Sequence, residues 1–217
     1  MRWLATGLMF LNMQVFAQNA KDGLKKIKSG KEVKTKESVE VKKIDTAKSE
    51  IIWKGKHVSD MIGGGHQGNV KIKSGEVKMD KNTITGGELI VDLTTINDQD
   101  LTDADKKGKL EGHLKSPDFF DVAKYPTAKL VLLPSPLAVG GTTNFKGKLT
   151  IRDKTENVVV PLTVTTVNGV STAKGELKIN RIKFGVKYAS QSLDIKLLKD
   201  KAIDDEIILD LNIVTAS

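Results

Sequence analysis

The chain contains no cysteine, three histidines, five prolines and few aromatic residues, 5% of 217. Without cysteine it can form no disulfide framework and no thiolate metal centre, and it carries no thiol for an N-terminal lipid. Burial alone must therefore stabilise it. Long hydrophobic runs are also missing. The one extended apolar stretch, Trp3 to Phe16, is too short to span a bilayer comfortably. Met1 and Arg2 precede it, and Val15 and Ala17 occupy the minus-three and minus-one positions of a cleavage site before Gln18. Residues 1–17 accordingly read as a secretory signal peptide, and the expected location is periplasmic or secreted. A retained anchor is the weaker alternative, because the run is short and ends in a small residue.

What looks like a strongly basic protein is a basic segment joined to a nearly neutral one. Lys21 to Lys43 holds nine lysines against Asp22, Glu32, Glu37 and Glu40, a net of five of the formal eight positive charges. Beyond it, residues 44–217 carry 25 basic and 23 acidic side chains. No basic stripe interleaved with aromatics runs through this part, which argues against a nucleic-acid partner. Residues 18–43 lack apolar periodicity and read as a flexible lysine-rich spacer. Peripheral contact with an anionic envelope surface is the functional alternative for that segment.

From Ile44 onward the dominant period is two. Ile51, Trp53, Gly55 and His57 share one side of a segment whose other side holds Ile52, Lys54 and Lys56. The alternation recurs at Val70 and Ile72, at Val77 and Met79, and at Leu89, Val91, Leu93 and Thr95. It continues at Leu130 and Leu132, Phe145 to Ile151, Val160 to Val164, and Ala173 to Ile179, then at Leu193, Ile195 and Leu197, and finally at Leu209 to Ile213. Turn signals at Ser74-Gly75, Lys81-Asn82, Gly86-Gly87, Gly140-Gly141, Asp153-Lys154 and Asn168-Gly169 separate these runs, so the pattern predicts an antiparallel meander of hairpins. Closing such a sheet removes its exposed edges, and about eight strands enclose room for side chains or one small ligand. Gly55, Gly147 and Gly175 on the inward faces either leave space or mark bends. Outward lysines at 54, 56, 71 and 73 disfavour a membrane barrel.

One interval breaks the rhythm. Thr102 to Lys115 has Ala104, Leu110 and Leu114 at helical spacing, with Asp103 as N-cap, but Gly108 and Gly112 weaken it by about 1 kcal/mol each. The following segment, HLKSPDFFDVAKYP from His113 to Pro126, carries adjacent Phe119 and Phe120 in a turn-bearing insert. Their rings either plug the end of a core or close a ligand cavity.

Chemistry beyond binding has little support. His57, His66 and His113 show no close helical or hairpin pairing and no cysteine joins them, so no metal site is read. Gly63 to Gly65 lacks the lysine of a phosphate cradle, and no nucleophile elbow is present, so no catalytic residue is assigned and an enzyme is not expected.

The segment HLKSPDFFDVAKYP resembles the hallmark of the YceI-like family. IDTAKSEIIWKGKH at the start, FKGKLTIRDKT at 145–155 and INRIKFGV at 179–186 support the resemblance, which runs from about Ile44 to the C-terminus. It implies an all-β, eight-stranded lipocalin-like antiparallel barrel over 44–217, exported, with a short helix and an aromatic lid. It also implies a long apolar partner of the polyisoprenoid or isoprenoid-quinone type held in the lumen, with no other cofactor. On that reading the tail runs along Trp53, Val91, Leu93, Phe145, Leu149, Leu162 and Phe184 under Phe119 and Phe120. His57, His113 or Arg181 then meet a polar head. Residues 61–68 depart from the family's usual continuation after His57, which leaves the head-group preference open. The competing class is an envelope stress or interaction protein whose barrel is filled by its own side chains. Pairing of the barrel as a homodimer is also open.

Overall fold

The computed structural model describes residues 39–59, 64–80, 83–138, 141–197 and 201–217. The signal peptide, nearly all of the lysine-rich spacer, the Lys81-Asn82 turn and residues 61–63 of the departing segment lie outside the described residues. Within them, ten strands occur in chain order. They are β1 (Glu40–Lys43), β2 (Glu50–Lys56), β3 (Gly65–Asp80), β4 (Thr83–Asp98), β5 (Thr127–Leu132), β6 (Ser135–Pro136), β7 (Thr142–Ile151), β8 (Lys154–Val167), β9 (Val170–Asn180) and β10 (Glu206–Val214). One α-helix, α1 (Ala104–Lys115), stands between β4 and β5.

Neighbours in the sheet run β3, β2, β10, β9, β8, β7, β5, β4, and β4 pairs back with β3. An eight-stranded antiparallel barrel is thereby closed. The alternation read from the sequence is what places its core. In β7, Thr143, Phe145, Gly147, Leu149 and Ile151 are buried while Thr142, Asn144, Lys146 and Lys148 are exposed. Inward aliphatic and aromatic side chains of this kind are each worth about 1.5–3 kcal/mol when fully buried. Asn168 and Gly169, both at positive φ (50° and 81°), make the tight turn between β8 and β9 that suits the twist of a hairpin.

Several sequence expectations need correction. Ser74-Gly75 and Gly86-Gly87 are not turns, because β3 and β4 are continuous 16-residue strands and Gly75 pairs with Leu89 inside them. A Cβ on Gly75 would lie 2.8 Å from Ile44 Cγ1 and 2.9 Å from a methyl of Leu89, so the residue permits close approach rather than reversal. The segment carrying Leu193, Ile195 and Leu197 is not a strand. Ser190 accepts the Leu193 and Asp194 amides and the Asp194 side chain accepts the Lys196 amide, a set of local turns that leaves Ile195 90% exposed. The folded unit also begins before residue 44. Glu40 to Lys43 form β1, which pairs with Met79 to Glu76 where β3 has run past its partner β2.

The correction that matters most for the site lies in β4. Between the pairs Lys71–Asp92 and Asn69–Asn97, β4 uses more residues than β3. The Thr95 hydroxyl takes the Lys71 amide at 2.9 Å and donates to the Asp92 carbonyl at 2.6 Å, while Asp92 Oδ1 accepts the Thr94 amide and hydroxyl. These bonds stabilise a bulge. The inward series therefore runs Leu89, Val91, Leu93, then Ile96 and Asp98, and not through Thr95.

Candidate ligand-binding site

The lumen holds two adjoining cavities, of about 380 Å³ and about 130 Å³. The larger lies at the helix end, under α1 and the turn that follows it. Ile51, Val91, Leu149 and Leu209 border both, so the two are separated only by a waist of aliphatic side chains. The larger volume lies in the range of small-ligand pockets. The smaller is near the size of an apolar cavity able to hold one benzene.

Residues 113–125 build the lid. Asp103 caps α1 by accepting the Asp105 and Lys106 amides, and Ser116 ends it. The chain then doubles back, with the Phe120 amide donating to the Leu114 carbonyl and the Asp121 amide to that of Ser116, Asp121 itself at φ 50°. This turn holds Phe119 buried and Phe120 half-buried, both on the cavity wall. The Phe119 ring stands 5.0 Å from the edge-on His113 ring, and His113 meets Tyr188 at 4.5 Å and 90°. Edge-to-face contacts of this sort add about 0.5–1.5 kcal/mol beyond burial. Asp118 Oδ2 lies 3.7 Å from His113 Nε2 at the exposed side.

Among the sequence-predicted site residues, Trp53, His57, Val91, Leu93, His113, Phe119, Phe120, Leu149 and Arg181 line the larger cavity. Phe145 and Leu162 line the smaller, together with Val91 and Leu149. Phe184 lines neither. It belongs to a single 3-10 turn, Arg181–Phe184, that ends at left-handed Gly185 and turns its ring into the packed core.

Arg181 touches the cavity but is not free to meet a head group. Only 1% exposed, it donates through Nε to Asp204, through Nη1 to Val186 and Tyr188, and through Nη2 to Ile203, all backbone carbonyls, with Asp205 Oδ1 at 3.3 Å. Burial pulls this guanidinium below its ordinary pKa range, against the opposing pull of Asp205 and Asp204. A buried guanidinium must spend its donors on the protein. Buried side-chain atoms without hydrogen-bond partners include Trp53 Nε1 and His57 Nδ1, both on residues that line the larger cavity.

The three inward glycines divide by what surrounds them. A Cβ on Gly55 would meet nothing within 4 Å, and this residue lies on the cavity wall. On Gly175 it would stand 2.0 Å from the Pro161 carbonyl oxygen, and on Gly147 2.9 Å from that of Val131. Gly55 makes room, whereas the other two let neighbouring strands approach.

The chain matches the YceI-like domain family over residues 43–215. It belongs to the YceI-like family. Among solved structures it resembles Burkholderia cenocepacia BcnA at 27% identity and a TM-score of 0.61, covering 80% of this chain and 99% of that one. It also resembles a Saccharophagus degradans polyisoprenoid binding domain implicated in plant cell wall breakdown, at 12% identity and a TM-score of 0.58, covering 82% and 99%. The comparison with curated proteins gives no match.

Sequence reading missed several residues of this YceI-like site. Arg152, in the β7–β8 turn, donates from Nη1 to the Phe119 carbonyl at 3.0 Å and to that of Gly185 at 3.3 Å, tying the lid turn to the barrel. Its place in FKGKLTIRDKT was visible, but its reach across the fold was not. Asp98 is fully buried at the barrel rim, its Oδ1 accepting the Asp100 and Leu101 amides, and His66 Nδ1 lies 3.1 Å from Asp100 Oδ1. Burial opposes the charge on Asp100, but bonds from the His66 ring and the Gln67 amide outweigh it and hold the carboxyl below its ordinary range. Only the β4 bulge, which no local residue pattern announces, turns Asp98 inward.

Proposed function

We propose that this protein takes up one long-chain amphiphile of the isoprenoid or isoprenoid-quinone class and carries, stores or sequesters it outside the cytoplasm after export through residues 1–17. The observation that carries the reading is the lumen itself. It is almost wholly apolar, its two cavities adjoin at the waist, and on the wall of the larger one Trp53 Nε1 and His57 Nδ1 are buried without partners. Buried polar atoms ordinarily have hydrogen-bond partners, and the oxygen of an amphiphile's head would supply an acceptor to the indole N–H. The tail is driven in by about 25 cal/mol per Å² of apolar surface removed from water, less the cost of ordering it. A tail longer than the larger cavity has to pass between Ile51, Val91, Leu149 and Leu209. The similar Saccharophagus degradans structure, a polyisoprenoid binding domain, accords with this reading.

Native mass spectrometry of protein purified without detergent, followed by solvent extraction, tests it. One extractable lipid per chain is expected, with reloading by added quinone or prenyl phosphate. A lumen found vacant in repeated preparations, with no mass shift on adding either lipid, would sink the proposal in favour of an interaction protein. Deleting residues 18–39, which spares β1, should leave lipid loading unchanged if the lysine-rich segment is a spacer.

A further inference from the structure

At the rim of the barrel, the start of β3 and the end of β4 bring together three donor atoms. His66 Nδ1, one oxygen of Asp98 and one of Asp100 all lie within 4.8 Å of one another. His66 Nδ1 is 3.1 Å from Asp100 Oδ1 and 3.9 Å from Asp98 Oδ2. We propose that these three side chains form a binding site for one first-row divalent cation of the zinc type.

The carboxylates are held as metal ligands are held. Asp98 Oδ1 accepts two backbone amides, from Asp100 and Leu101, and Asp100 Oδ2 accepts the Gln67 amide at 3.0 Å. Each acid thus has one oxygen fixed by the main chain and the other turned toward the same imidazole nitrogen. Anchoring of this kind orients ligands and limits the entropy lost on binding. Asp98 supplies the independent sign. Its side chain is 0% exposed, yet Oδ2 has no hydrogen-bond partner. A buried carboxylate oxygen without a donor is costly. A proton on His66 Nδ1 already directed at Asp100 cannot also serve an oxygen 3.9 Å away, whereas a cation between the three atoms satisfies all of them.

Ligand type and spacing agree. Zinc binds imidazole nitrogen and carboxylate oxygen at about 2.0–2.2 Å, which sets neighbouring tetrahedral donors about 3.3–3.5 Å apart. The two separations to His66 bracket that value, so small side-chain adjustments complete the geometry. The imidazole disfavours calcium and magnesium, which prefer all-oxygen shells. Glu111 of α1 accepts the Asp98 amide at 2.9 Å, so the ion would sit directly behind the lid helix, with the His66 ring on the wall of the larger cavity.

The test is calorimetric titration of Zn²⁺ into the whole chain, stripped of metal and lipid, so that its result does not depend on the lumen ligand. One zinc per chain is expected. His66→Ala and Asp98→Asn should each weaken it by at least about tenfold, the scale that even outer-shell changes reach. Asparagine at 98 retains the oxygen that caps Asp100 and Leu101, so circular dichroism and the melting temperature should show a folded variant. Zinc should raise the melting temperature of the parent and of neither variant. Absence of binding at millimolar zinc, or equal affinity in the parent and both variants, would overturn the assignment.

Discussion

The two sides of the barrel mouth are built on opposite principles. On one side Arg181 is sealed among the carbonyls of Asp204, Val186, Tyr188 and Ile203, with its guanidinium donors engaged by the chain around it. On the other, α1 contains no fully buried residue and carries two glycines beside open space. Its attachment rests on a few contacts: Leu110 and Leu114 over the cavity, Glu111 on the Asp98 amide, and Arg152 on the Phe119 carbonyl in the turn beyond. Local openings begin where few buried apolar contacts hold an element. The Arg181 side is therefore the fixed jaw and the α1 side the one that yields.

The sharpest way to break this comparison is to remove the fixed jaw. Arg181→Ala removes the donor from four carbonyls around a buried guanidinium and should cost about 3–5 kcal/mol in urea unfolding, the scale of breaking a buried charged network. A loss below about 1 kcal/mol would mean that water replaces the guanidinium at no cost. Next comes the aromatic pair. Phe119→Ala should cost about 3 kcal/mol, as expected for a buried ring. Phe120→Ala, half-buried over the cavity, should cost about 1 kcal/mol and yet release bound lipid several-fold faster in exchange measurements. Equal stability losses with no change in lipid release would make the pair a structural plug.

The glycines extend the contrast to the barrel wall. Gly175→Ala forces a methyl onto the Pro161 carbonyl and should destabilise by about 2 kcal/mol in the same unfolding assay. Gly55→Ala meets nothing and should change stability by less than about 0.5 kcal/mol, while reducing the volume open to ligand. The one stabilising effect belongs to the yielding jaw. Gly108→Ala and Gly112→Ala each project a methyl into open space and should stabilise α1 by about 1 kcal/mol. Slower lipid exchange without altered equilibrium loading would identify the helix as the gate.

Much of this fold is legible in the sequence because a half-buried strand needs nothing except alternation, and Phe145 to Ile151 or Ala173 to Ile179 could satisfy no other period. The helix was legible from its cap at Asp103, since an N-cap is a local device. What escaped reading depends on distant partners. Ser74-Gly75 has the composition of a turn and becomes mid-strand only because Leu89 and Ile44 crowd against it. Leu193, Ile195 and Leu197 alternate correctly but find no strand to pair with, and their backbone closes on itself. Arg181 reads as a cation available to a ligand until residues 186–188 and 203–205 fold around it. At the site, the apolar wall was visible one strand at a time, whereas Asp98 and His66 meet only through pairing across the bulge.

That bulge has a wider consequence. With an unbroken register, β4 would present Thr95 and Asn97 to the lumen and turn Ile96 and Asp98 to the outside, because a strand's phase repeats every second residue. The few residues around Thr94 and Thr95 advance the phase by one position, and from there to its end the strand presents a different set of side chains to the interior. An otherwise uniform greasy tube thereby gains a polar corner at one end only. Forced to alternate regularly through Thr94–Thr95 at constant chain length, the strand would give the barrel back its uniformity and rotate the carboxylate of Asp98 to solvent, whereas deleting either threonine would straighten the strand and leave Asp98 facing inward.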